Sequence, residues 1–460
     1  MSKNLAILVF SGSLIVTSHV SAQSYVQGEC PAGVANGVNV AFTLKNSPQN
    51  GSVALYKNGV RLQQGLDYSL SANSIQFSNS AAPQSTDTLL VDYMAAAPVS
   101  SNGYSYSRRI TLSHTQVPNT DQSNFAVLIS GTYAFLATAT NGGHVQNANG
   151  YDIIFASDAA GQNLLNWELE SYNPVSGAIS AWVQVPTLSH SVDTVIYMFY
   201  GNAWVSTFQG GAAGSAWDSY YAGVWHFANG SALSTADSTN QINLKNNGVT
   251  ATGGEIGGGL LLNNVSSGRY GYDLEAAVAT LANSGSKTFE AWINPSAFHT
   301  NAGQYTGLVT YGKGGNVIYS LSLVGSGKST NATPRFEVQN SSGSYQNASS
   351  NALSATGTWS HIVGVVASPT IYIYVNGVQH SAAFSGTPAA GDSTFALSIG
   401  RDFYDNNNPP ARWFYGAIDE VRLSTMARSA DWIATEYNNQ SSPGTFYSVG
   451  PEQASIAVAR

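Results

Sequence analysis

Residues 413–424, Trp-Phe-Tyr-Gly-Ala-Ile-Asp-Glu-Val-Arg-Leu-Ser, read as a β-strand placed close to the C-terminus. Aromatic and β-branched residues fill it, and Ser429 is placed to cap a short helix that offers Trp432, Ile433 and Tyr437 to a neighbouring surface. A strand this late in a chain must find its hydrogen-bonding partners upstream. The apolar run 222–227, Ala-Gly-Val-Trp-His-Phe, is the best candidate. If the two pair, everything between them closes into one β-domain.

The rest of the chain carries the same texture of short strands and turn signals. Runs at 39–42, 53–56, 68–70, 74–77 and 88–93 alternate apolar and polar residues, and Asn58-Gly59 between two of them predicts a two-residue hairpin. They make residues 23–94 a small N-terminal β-module, and the small residues, Pro and Gly of 95–103 make a linker. From 104 to 202 a second set follows, at 107–112, 125–129, 151–155, 165–172, 178–185 and 194–200. Beyond a linker at 203–219, a third block spans 220–451 and leaves a tail at 452–460. Regular short strands separated by Gly, Asn and Pro predict sandwiches or jelly rolls, so the fold class is all-β in three domains with one short C-terminal helix.

Charged residues make up only 9% of the chain, where an average soluble protein has roughly 25%. The net charge is −8 with no basic block, which argues against nucleic acid as a partner. Residues 1–22 start with Lys3, continue through apolar runs and end in Val20-Ser21-Ala22, the layout of a secretory signal peptide. No later run is long and apolar enough to span a bilayer. Cys30 is the only cysteine, so an intrachain disulfide is excluded. These features predict a bacterial protein that is secreted, extracellular or periplasmic.

Two blocks resemble known families. Arg108-Arg109-Ile110-Thr111-Leu112, Gly150-Tyr151-Asp152-Ile153, the Trp-Glu-Leu-Glu-Ser-Tyr-Asn-Pro run from Trp167 and the Ile-Tyr-Met-Phe-Tyr-Gly-Asn run from Ile196 resemble a secreted β-sandwich domain of unknown function, type 2341. That resemblance implies no catalysis. Gly223-Val-Trp-His-Phe, Phe289-Glu-Ala-Trp-Ile, Gly357-Thr-Trp-Ser-His-Ile-Val, Ile373-Tyr-Val-Asn-Gly and Phe414-Tyr-Gly-Ala-Ile-Asp-Glu-Val-Arg-Leu-Ser resemble the concanavalin A-like, laminin-G-like jelly roll. This second resemblance implies two curved antiparallel sheets, carbohydrate or protein binding, and often a structural calcium ion. The N-terminal module resembles small sandwiches of phage tail and bacterial surface proteins, which implies a spacer.

Candidate chemistry falls in five places. Glu168 and Glu170 alternate on a strand, so both project from one face as a glycosidase acid pair would, or as a solvated strand face would. Asp237 and Asn240, with Asp419 on the closing strand, could supply oxygens to calcium. Equally, Asp237 could build an Asx-turn and Asp419 could pair with an arginine. The loop 401–413 offers Asp402, Tyr404, Asp405, Asn407, Arg412 and Trp413 as a ligand-binding set, planar polar groups beside aromatic faces; the other reading is a solvated loop with Trp413 turned inward. Gly325-Ser326-Gly327-Lys328-Ser329 lacks the first glycine of a phosphate loop and reads as a hairpin tip. The seven histidines beyond the expected signal peptide, among them His226 and His361, have no metal-ligand spacing and read as packed, hydrogen-bonded residues. The sequence thus predicts an exported, non-catalytic, lectin-like binding or adhesion protein of the cell surface. Its partner is expected to be carbohydrate or surface protein, with calcium as a stabiliser; the alternatives are a glycoside hydrolase using Glu168 and Glu170, and a structural component of an extracellular assembly.

Overall fold

The computed structural model describes residues 25–46, 48–49, 51–71, 73–94, 102–227, 233–263, 274–403 and 412–454. The expected signal peptide at 1–22 and most of the linker at 95–103 lie outside these residues. The chain divides into two compact units, 1–100 and 101–460.

The first unit holds two small antiparallel sheets. Tyr25–Glu29, Leu89–Met94, Ala54–Lys57 and Val60–Arg61 form one, and Ala41–Thr43, Ser74–Phe77 and Tyr68–Ser71 form the other. Alternation places Phe42, Leu55, Ile75, Val91 and Tyr93 in the core between them. Asn58 and Gly59 both have positive φ, 53° and 79°, as the expected two-residue hairpin requires.

The second unit contains two sandwiches. In the first, Ile153–Ala156, Thr194–Tyr200, Tyr106–Leu112 and Tyr447–Ala454 form one sheet, and Trp167–Asn173, Ala178–Leu188 and Gln122–Thr132 the other. The strand Tyr447–Ala454 pairs antiparallel with Tyr106–Leu112 along almost its full length. The end of the chain therefore completes a domain begun some 340 residues earlier, and a boundary drawn at 451/452 falls inside a strand.

The jelly roll is a pair of large antiparallel sheets around one core of Trp225, Phe289, Tyr311, Tyr319, Phe336, Ile362 and Leu397, all buried. At the centre of its eight-stranded sheet lies Gly416–Ser424, buried at every position and flanked on one side by Lys287–Pro295. The expected partner, Tyr221–Trp225, pairs with its C-terminal half. Gly258–Leu262 pairs with its N-terminal half on the same edge. The hairpin reading of 325–329 also holds, since Asn316–Gly325 pairs antiparallel with Ala332–Gln339 across that tip.

The helix Ala430–Ser441 is capped by Ser429 Oγ, which accepts from Trp432 N at 3.1 Å. It packs on both sandwiches, not on the jelly roll alone. Ile433 joins Val363, Val365 and Tyr374 of the jelly roll. Trp432 meets Phe125 of the other sandwich at 4.8 Å between centroids. Asn439 Oδ1 accepts from Leu128 N at 2.7 Å and its Nδ2 donates to Leu128 O at 3.1 Å, so one amide satisfies Leu128 on the open edge of Gln122–Thr132. The core of the first sandwich likewise takes in Trp217, Tyr221, Val224, Ile256 and Phe446.

Candidate functional site

The rim of the jelly roll carries the loop singled out in the sequence. Asp402 is buried and lies 3.5 Å from Arg412, whose side chain stays partly exposed. The Arg412 guanidinium lies over the ring of Tyr305 at 5.4 Å, and Arg401 lies over Phe403 and Trp413 at 5.2 and 5.8 Å. Trp413 is 7% exposed and so faces inward. Tyr404, Asp405 and Asn407 lie outside the described residues. Beside this network opens a cleft of about 270 Å³ lined by Glu275, Lys313, Thr394, Arg401 and Phe403.

Asp237 works as a loop organiser. Its Oδ1 accepts from Val224 N and Thr239 N, and its Oδ2 from Gln241 N and Ile242 N, each at 2.9 Å. Asn240 turns the same loop at φ 57°. Asp419 is buried, and its carboxylate accepts from Ile256 N at 3.0 Å and Glu420 N at 2.7 Å.

A second concentration of chemistry lies at the seam between the two sandwiches. Along the edge of Gly416–Ser424, pairing passes from Leu260–Leu262 to Tyr221–Trp225, and Asp419 and Glu420 sit at that handover. On the other edge the register slips between Glu290 and Trp292, and Glu420 takes φ 49°, a left-handed conformation that an ordinary side chain enters at a cost of roughly 1–2 kcal/mol. Opposite them, on Trp167–Asn173, a second bulge between Leu169 and Ser171 falls at Glu170.

His226 stands where these elements meet. Its Nδ1 is 2.7 Å from Glu420 Oε1 and 3.9 Å from Glu170 Oε2, and its Nε2 is 3.9 Å from Glu168 Oε2. The imidazole stacks on Trp182 at 5.4 Å. Trp182 Nε1 donates to Glu170 Oε2 at 2.9 Å and Trp217 Nε1 to Glu168 Oε2 at 2.7 Å. Behind Glu420, Arg422 Nη2 donates to its Oε2 at 2.6 Å, and Arg422 also lies 3.4 Å from Glu290 and 3.5 Å from Glu436. The Arg422 guanidinium rests 4.4 Å above the Trp182 ring, a charge of the jelly roll on an aromatic face of the other sandwich.

Burial and neighbouring charge push these carboxyls apart. Burial, then the Glu420 charge, raises Glu170 to about 7. Burial also acts to raise Glu168, but His226, Ser238 and Trp217 outweigh it and hold Glu168 below its ordinary value. Burial acts to lower His226, yet the Glu420 and Glu168 carboxylates raise it well above 6.5. Asp419 is raised by burial first and by Glu420 and Glu170 next.

Glu168 and Glu170 do face one partner together, as their alternation predicts, but that partner is the buried imidazole. The sequence reading of His226 as packed and hydrogen-bonded fits its contacts; its place between three carboxyls was not legible, because Glu420 and Glu170 reach it only through two bulges. The glycines of 253–259, which lack a dinucleotide-binding setting, close the seam. A Cβ on Gly254 would sit 2.3 Å from Asp419 Oδ2 and 2.2 Å from Gly258 O, and one on Gly257 would sit 2.3 Å from Glu170 Oε1.

Residues 268–434 match the family described as the concanavalin A-like lectin/glucanases superfamily. The chain thus carries a laminin-G-like jelly-roll domain, in agreement with the all-β expectation. No curated protein matches the chain. Among solved structures, it is similar to domain 4 of AbnA, an extracellular arabinanase of Geobacillus stearothermophilus in complex with arabinotriose, at 19% identity over 47% of this chain and 98% of that one, with a TM-score of 0.36. It is also similar to the binding domain of botulinum neurotoxin DC in complex with SialylT, at 12% identity over 48% of this chain and 52% of that one, TM-score 0.36. A pentraxin of Limulus polyphemus shares 15% identity over 38% of this chain and 77% of its own, TM-score 0.29.

Proposed function

We propose that the protein is an exported, non-catalytic binding protein whose jelly roll contacts carbohydrate at its rim. The observation that carries this reading is the rim cleft, where Glu275, Lys313 and Arg401 set charged hydrogen-bonding groups beside the Phe403 ring. Sugars are held by that combination of polar groups with fixed geometry and an apolar face. The match of 268–434 to a family of lectins and glucanases supports a binding surface on this domain. Against hydrolysis stands the filling of the space at Glu168 and Glu170 by the His226 ring, 3.9 Å from each. A retaining glycosidase needs that space for the sugar.

Binding of the full chain to a glycan array, with Lys313→Ala and Arg401→Ala beside it, tests the proposal. At least a tenfold loss is expected in each variant. Absence of binding to every glycan, or full binding by both variants, overturns it; binding to a surface protein instead would move the partner to the protein class.

A further inference from the structure

Among the described residues, one group of three metal-ligating side chains brings its donor atoms within 4.8 Å of one another: Glu170, His226 and Glu420. They come from three separate stretches of chain and from both sandwiches. Their side chains are 0%, 5% and 0% exposed, so water does not hold these charges. Glu170 Oε1 is buried without a hydrogen-bond partner, and so is His226 Nε2 on the ring edge that faces Glu168, while Nδ1 is the nitrogen turned to Glu170 and Glu420. A buried polar atom left unpaired costs roughly 1–3 kcal/mol, and here two of them belong to one cluster.

The charges are also unequal. Glu168, Glu170, Asp419, Glu420, Glu290 and Glu436 are gathered around Arg422, His226 and His361. With Arg428, which also acts on Glu436, six carboxyls thus face at most four cations. Buried charge without a counter-charge is expensive, and a divalent cation supplies one.

We propose that Glu170, His226 and Glu420 form a site for one divalent transition-metal ion of the zinc class, which fastens the two sandwiches at their seam. Mixed imidazole and carboxylate donors suit zinc and its neighbours, whereas calcium and magnesium prefer all-oxygen sets. The supporting shell is in place. Trp182 Nε1 orients the Glu170 carboxylate and Arg422 orients that of Glu420, as metal-bound carboxylates need. The imidazole is held flat against Trp182. A cleft of about 420 Å³ lined by Tyr151, Glu168, Glu170, Tyr172 and Phe208 gives the ion a route from solvent.

The test is zinc titration of the chelator-stripped full chain by calorimetry, with elemental analysis and melting temperature as second readouts. One zinc per chain and a raised melting temperature are expected. Glu170→Gln keeps an acceptor for Trp182 Nε1 and removes a buried charge, so it is expected to fold; it should weaken zinc at least tenfold, as should His226→Gln. His114→Ala and His190→Ala remove the exposed histidine–aspartate pairs and should leave zinc binding unchanged. The proposal is overturned if folded protein takes up no stoichiometric zinc, if it takes calcium in preference, or if Glu170→Gln binds as tightly as the parent.

Discussion

Glu436 is the side chain whose protonation most directly reports the electrostatics of the seam. Tyr221 Oη donates to its Oε1 at 3.0 Å, Arg422 lies 3.5 Å away, and Glu290 and Arg428 also act on it. Burial, then the Glu290 charge, pushes its pKa from 4.5 up to about 8. The folded protein therefore keeps a proton that the unfolded chain gives up at lower pH. By linkage, the stability this proton contributes is complete below about pH 4.5 and is lost as pH rises through about 8. Glu436→Gln removes the dependence. Melting temperatures measured from pH 5 to pH 9 should fall for the parent and fall less for the variant, with the gap widening toward pH 9. Parallel curves would show that Glu436 does not titrate in this range.

The strands of the second unit differ in how openly the sequence declares them. Gly416–Ser424 was legible because aromatic and β-branched residues surround it and Tyr221–Trp225 offers a matching apolar run. Tyr447–Ala454 was not, since Pro451, Glu452 and Gln453 interrupt its apolar alternation and its last three residues fall in the expected tail at 452–460. Besides its ladder with Tyr106–Leu112, one side chain ties that strand across the sandwich. Tyr447 Oη accepts from Ser130 N at 2.9 Å, donates to Ser130 O at 2.7 Å and lies 2.8 Å from Tyr133 Oη, which ties the terminal strand to the opposite sheet. Tyr447→Phe leaves the Ser130 backbone unpaired and should cost about 1–3 kcal/mol in urea denaturation. A cost below a few tenths would mean water replaces the phenol freely. The rim loop was half legible for a related reason: the sequence left Trp413 open between a binding face and an inward turn, and the inward turn goes with the Arg401–Trp413 bridge and the Arg401 guanidinium over its ring, which no local pattern announces.

At the scale of the whole chain, separate domains at 104–202 and 220–451 are hard to reconcile with where the buried surface lies. The first sandwich lacks a strand until Tyr447–Ala454 arrives, and Tyr106–Leu112 would otherwise present an open edge. Its core also lacks Trp217, Tyr221, Val224, Ile256, Trp432 and Phe446 until the jelly roll and its helix are present. The jelly roll, taken alone, would expose Glu420 and Arg422 without Trp182, Glu168 and Glu170 over them. Each half therefore completes the other, and folding should be cooperative across residues 101–460. A fragment of residues 101–210 is expected to show no cooperative thermal transition and to associate through its open edge, while residues 101–460 unfold in one transition. Circular dichroism and calorimetry on the two fragments check this. A 101–210 fragment that melts sharply would establish that the first sandwich is autonomous and that the C-terminal strand only decorates it.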